Sequence, residues 1–157
     1  MLQRIQTVWL FLATLVILGL FIFPYLNYID LVGLGRKLLV TGEYSAVNNE
    51  SVKQSSFVLQ TIATIFVALV PIVTIFQFKN RKLQVKLIYL TQVLIVLMGG
   101  CMYFTATSKL SLISQGFNAQ NIGVGFFLLP VAIILLVMAI NGIRKDDKLI
   151  KSADRLR

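Results

Sequence analysis

A chain of 157 residues, 57% hydrophobic, with a formal net charge of +9, is too apolar for a soluble globular domain. In a soluble protein that charge would suggest nucleic acid; here the cations gather beside the ends of apolar stretches, which argues against a nucleic-acid partner and makes them markers of topology. With one cysteine, Cys101, and no histidine, an internal disulfide is impossible and the usual zinc and haem ligands are missing, so neither cofactor nor metal is expected.

Four apolar stretches, roughly Ile5–Leu26, Phe57–Phe78, Leu87–Ala106 and Ile122–Asn141, contain no Asp, Glu, Lys or Arg. Each is close to the ~20 residues that cross a bilayer core of about 30 Å. The predicted fold is an all-α membrane protein: one integral membrane domain, built as an antiparallel four-helix transmembrane bundle. Its connections are an outer loop over 27–56, a hairpin over 79–86, a second outer loop over 107–121 and a tail over 142–157. The first stretch is too long for a signal peptide. It ends in Phe23-Pro24-Tyr25 with no small-residue cleavage site, so it is expected to stay as an anchor.

Membrane helices associate through small and polar side chains, so each span is read for a stripe of these at helical spacing. In the first span, Gln3, Thr7, Thr14, Phe21, Tyr25 and Tyr28 share a face. In the loop that follows, Leu31–Gly35 and Leu38–Val40 are apolar and Thr41-Gly42-Glu43 reads as a turn; a hairpin and a short interfacial helix both fit. The second span aligns Gln60, Thr64, Pro71 and Thr74, with Pro71 placed to break one backbone hydrogen bond and kink the helix. The hairpin carries Lys79, Arg81, Lys82 and Lys86 with no acid, and is expected to contact lipid head groups. The third span aligns Gln92, Gly99, Tyr103 and Ala106, with Val96 between. The fourth aligns Gly125, Ala132 and Ala139 at seven-residue intervals. These spacings are those of left-handed packing at about 20°. The tail reads as the fourth helix continuing, with a narrow apolar stripe through Ile143, Ile150, Ala153 and Leu156.

Four spans place both termini on one side. That side carries Arg4, the four hairpin cations and Arg144, Lys145, Lys148, Lys151, Arg155 and Arg157; the other carries Arg36, Lys37, Lys53 and Lys109. Because cytoplasmic loops hold the excess of Lys and Arg, both termini are expected in the cytoplasm.

The two ends, Met1-Leu-Gln-Arg-Ile-Gln-Thr7 and Ile143-Arg-Lys-Asp-Asp147 with Ser152-Ala-Asp-Arg-Leu-Arg157, resemble the signatures of an uncharacterised family of small bacterial integral membrane proteins with four spans, known only as a domain of unknown function. The resemblance implies the cytoplasmic (inner) membrane of a Gram-negative bacterium, and no activity. Since both signatures fall on the cytoplasmic side, Gln3 and Arg4 are expected to pair with Asp146, Asp147 or Asp154, forming with Arg155 and Arg157 one candidate interaction site.

Three function classes compete. A non-catalytic accessory or partner-binding subunit, with the bilayer and another membrane or cytoplasmic protein as partners, fits the lack of ionisable chemistry in the spans. An oligomeric transporter or channel for a neutral or small solute is the alternative; proton-coupled transport normally needs an intramembrane charge, and every acid lies outside the spans. An enzyme is the least favoured class, because nucleophile–base pairs and acid–base sets are missing.

Overall fold

Proline decides where the first helix ends. The computed structural model describes residues 3–47, 50–78 and 80–154. Helix α1 (Gln3–Leu18) tightens into a 3-10 turn at Gly19–Phe21. The chain then leaves helical geometry at Phe23-Pro24, since Pro has no N–H to offer and disfavours the helical region for its predecessor. The first apolar stretch is therefore not one rod. Its last residue, Leu26, opens a strand.

The all-α expectation is corrected here. Residues 26–56 form a four-stranded antiparallel meander, β1 (Leu26–Ile29), β2 (Gly35–Leu39), β3 (Gly42–Val47) and β4 (Glu50–Ser56), in the order β1-β2-β3-β4. Of the two conformations open for this loop, the hairpin holds, but extended to four strands. Its register, Tyr28↔Arg36 and Leu38↔Glu43, places Leu26, Tyr28, Leu38, Glu43 and Ser45 on the buried side. That is the period-two alternation of a half-buried sheet. Where β3 begins, a Cβ on Gly42 would stand 2.1 Å from the Ser55 carbonyl oxygen, so only glycine lets β4 lie so close.

Helices α2 (Val58–Phe76), α3 (Arg81–Ser111) and α4 (Val124–Asp154) complete the chain, with a 3-10 turn at Ala119–Asn121 before α4. All three are long and apolar enough to cross a membrane; the apolar helix Ile5–Phe21 is shorter, about 25 Å at 1.5 Å per residue. Each helix packs against the next, and α4 packs back against α1. The interior of this ring is filled by Leu10, Ile17, Ile95, Met102, Leu136 and Ile143, all essentially inaccessible. The outer surface is the reverse of a soluble protein's: Phe11, Leu59, Phe66, Phe104, Phe127 and Ile134 are exposed. An apolar surface this continuous is stable only where it is shielded from water.

Helix faces depart from the predicted stripes most clearly on α3. On α3 the buried line is Gln84, Ile88, Thr91, Ile95, Met98, Met102, Ala106 and Leu110. Gln92 and Gly99 are only half-buried, and Tyr103 is 51% exposed, its ring edge-on to Phe117 at 5.3 Å between centroids. The packed face lies about one residue away from the predicted one, because long aliphatic side chains rather than amides fill this interior. On α1 the buried polar residues are Gln6 and Thr14, while Thr7 is exposed and Phe21 half-buried. On α2, Thr64, Val67, Pro71 and Thr74 are buried and Gln60 half-buried. The Thr74 hydroxyl donates to the Val70 carbonyl, three residues beyond the Val67 carbonyl that Pro71 releases. On α4, Ala132 and Ala139 are fully buried.

Gly125 is buried for a different reason from the one its spacing suggests. The Gly123 and Gly125 amides donate to the Tyr25 and Pro24 carbonyls at 2.9 Å each, and Leu26 bridges Ile122. A Cβ would come within 2.2 Å of the Pro24 oxygen at Gly123 and within 2.5 Å of the Phe23 oxygen at Gly125. These two glycines let the chain between α1 and β1 lie directly against the start of α4. Gly123→Ala is therefore expected to lower stability by about 1–3 kcal/mol, read as an earlier thermal transition of the detergent-solubilised protein; an unchanged transition would contradict the close approach.

Candidate functional site

Two polar clusters stand out, one at each end of the bundle. At the sheet end the centre is Glu43, 2% exposed. Its Oε1 accepts from the Tyr28 hydroxyl at 2.7 Å and from Arg36 Nη1 at 2.6 Å. Its Oε2 accepts from Lys109 Nζ at 2.8 Å and, more weakly, from the Ser55 hydroxyl at 3.4 Å. Arg36 also bridges to Asp30, and the Lys109 ammonium lies 5.9 Å from the centre of the Phe57 ring. Two acids and two cations thus balance within one network that ties β1, β2, β3 and β4 to the end of α3.

Burial by itself would push the Glu43 carboxyl up; the bonds from Lys109, Tyr28 and Arg36 outweigh it and hold the group at about 2. Burial, reinforced by the bond to Glu43 and its charge, drives the Tyr28 hydroxyl well above its ordinary value. Neither group can exchange protons near neutrality, so the cluster is a poor acid–base centre and a good clamp. A carboxyl held low contributes stability that is complete above about 4.5, its ordinary value, and is lost as pH falls toward about 2. Glu43→Gln is expected to cost about 3–5 kcal/mol, as for a broken buried pair, and to flatten that acid limb. Thermal unfolding in detergent across this pH range checks both, and an unaltered acid limb in the variant would remove Glu43 from the role.

Beneath the sheet, the Gln60 amide lies beside the Tyr25 hydroxyl, yet Gln60 Nε2 and Tyr25 Oη are each buried without a hydrogen-bond partner. Gln60 also lines a groove of about 840 Å³ between the sheet-side halves of α2 and α3. Val67 and Met98 are buried in its floor, while Leu59, Phe66, Leu97 and Phe104 stand exposed around it. Cys101 and Thr105 also line it.

At the other end, Gln6 Nε2 donates to Asp146 Oδ2, both residues being buried, and joins α1 to α4. A Cβ on Gly142 would meet the Gln6 side chain at 3.0 Å, so Gly142 makes room for this clasp. Arg144 Nη2 donates to the Tyr89 hydroxyl at 2.6 Å, with its guanidinium 5.9 Å from the ring centre, joining α4 to α3. Gln84 Nε2 donates to the Thr74 carbonyl at 3.4 Å, and Asn80 caps α3 by accepting from Leu83 N at 3.3 Å. The contact that joins the two chain ends here is made by Gln6, a residue the sequence reading did not name, with Asp146. The side chains of Gln3, Arg4 and Asp154, and residues Lys79, Arg155 and Arg157, lie outside the described residues. Asp147 is half-buried; of the hairpin cations, Lys82 and Lys86 are exposed and Arg81 half-buried. Among the described residues, no three of His, Cys, Asp or Glu gather into a metal-binding group.

Sequence reasoning missed the Glu43 cluster. The signal was present: Arg36 and Glu43 fall on the same strand parity as Leu38 and Ser45, and opposite charges on an apolar parity mark a buried pair. It was unreadable without the strand pairing.

The chain belongs to the family described as a domain of unknown function, DUF4293, which matches residues 2–156. No curated protein and no solved structure matches it.

Proposed function

We propose that this member of DUF4293 is a non-catalytic integral membrane protein that docks a partner protein on an extracytoplasmic β-sheet. In this reading the chain spans the inner membrane of a bacterium four times, with both termini in the cytoplasm and the sheet outside. Three apolar helices of spanning length and the exposed apolar perimeter support residence in a membrane. The clustering of cations on the side of the termini supports the orientation. The 25 Å of the first helix suits a span whose sheet-side end meets half-buried Pro24 and buried Tyr25 and Leu26 rather than lipid.

The observation that carries the docking role is the far turn of the sheet. Asp30–Leu34 closes on itself through Gly33 N to Asp30 O and Asp30 N to Leu34 O, each 2.9 Å. It presents Leu31 and Val32 at 77% and 79% exposure. A turn mounted on a clamped sheet, with its apolar residues outward, has the make-up of an interaction surface. β4 adds an edge: no other strand pairs with its outer side among the described residues, and an edge of this kind can accept an extended segment.

Two measurements test the reading. In a Cys101→Ser background, a cysteine replacing Val52 should react with a membrane-impermeant maleimide in intact cells, and one replacing Lys145 only after lysis. The reverse pattern would invert the topology. A photo-crosslinking residue at Val32 should then give one discrete protein adduct in intact cells, absent when the crosslinker sits at Ile134 on the outer face of α4. Failure to form that adduct, together with solute flux in reconstituted vesicles, would favour a transporter instead.

A further inference from the structure

The groove between α2 and α3 has the dimensions of one lipid chain. On α3 its lining runs from Leu94 to Thr105, about 17 Å at 1.5 Å per residue, roughly half of a 30 Å hydrocarbon core. It occupies only the sheet-side half of the two helices and ends at Ser56 and Thr105, where the apolar surface gives way to the sheet. It is open at Gly100, where a Cβ would meet nothing within 4 Å.

The chemistry at its mouth is that of a phospholipid head. Phe57 lines the mouth, and the Lys109 ammonium sits over that ring with its side chain partly accessible. Glu43 occupies one side of this ammonium, whose three N–H donors leave capacity for a second anion. One turn into the groove from Ser56 is Gln60, whose amide nitrogen lies beside the Tyr25 hydroxyl without a well-formed hydrogen bond. An ester carbonyl is the acceptor that a lipid carries just below its phosphate. Cation, then unpaired amide donor, then an apolar trough one leaflet deep follow the order phosphate, ester, acyl chain.

We propose that this groove binds one glycerophospholipid of the sheet-side leaflet, its phosphate at Lys109, an ester carbonyl near Gln60 and an acyl chain between Phe66 and Phe104. This is independent of the partner-docking role of the sheet. An acyl chain gains nothing hydrophobic by leaving its neighbours, so what separates this lipid from the general coat is packing and polar contact. Selection rests on fit and on the polar pair at the mouth.

The test uses the full chain reconstituted in phosphatidylglycerol vesicles doped with a phosphatidylglycerol bearing a diazirine on its acyl chain, followed by peptide mapping of the photoproducts. Adducts should concentrate on Phe66, Leu97 and Phe104 over the equally exposed Phe127 and Ile134 of α4. Gly100→Phe, which fills the trough without touching the Glu43 cluster, should reduce groove adducts about tenfold, which corresponds to about 1.4 kcal/mol, and leave those on α4 unchanged. Ala63→Phe, on the opposite wall, should do the same. Equal labelling of groove and α4, or groove labelling indifferent to both substitutions, would overturn the proposal. So would a Cys101–Cys101 disulfide dimer forming in place of groove adducts, since a second copy would then be the occupant.

Discussion

A carboxylate buried at the junction of sheet and helix is the constraint around which the sheet side of this protein is arranged. An ionised Glu43 can remain 2% exposed only if its oxygens are satisfied by donors. Those donors come from three elements: Tyr28 on β1, Arg36 on β2 and, from far along the chain, Lys109 near the end of α3. The network therefore orients the meander as a unit and explains why α3 runs to Ser111, past the end of its uncharged stretch. Without that last turn, Lys109 would not reach the sheet.

Close backbone approach does the complementary work. The segment after Pro24 must turn from helix into strand at the mouth of the bundle, where its carbonyls need partners. The amides of Gly123 and Gly125 supply them, at a distance that no side chain would permit. The clamp and the glycine contact fasten the meander to two helices, one to α3 and one to α4. At the far end of the bundle, Gln6–Asp146 and Arg144–Tyr89 fasten α4 to α1 and to α3. Polar contacts thus close both ends of a bundle whose middle is held by apolar packing, the division expected where water is available only at the ends.

Much of the helical layout was legible along the chain, because uncharged stretches of spanning length are a local property. The small-residue stripe on α4 and the polar stripe on α2 lie on buried faces, since Ala132, Ala139, Thr64 and Thr74 are compact enough to sit between helices. The stripe on α3 was misplaced by about one residue. Val96 and Tyr103, which lay on it, face outward, while Ile88, Ile95 and Met102 fill the interior. Polarity is a weak guide to facing when the interior and the surroundings are both apolar.

The sequence by itself determined four apolar segments and the clustering of cations between and after them, because hydropathy and cation count depend on composition within short windows. Only the tertiary structure decided that residues 26–56 form a sheet, that Glu43 is a buried anchor rather than a turn residue, and that an apolar groove opens beside Gly100. Strand register, ion pairing across many residues and the gap between two helices depend on which segments meet. That is a relation between distant positions, and no local pattern encodes it.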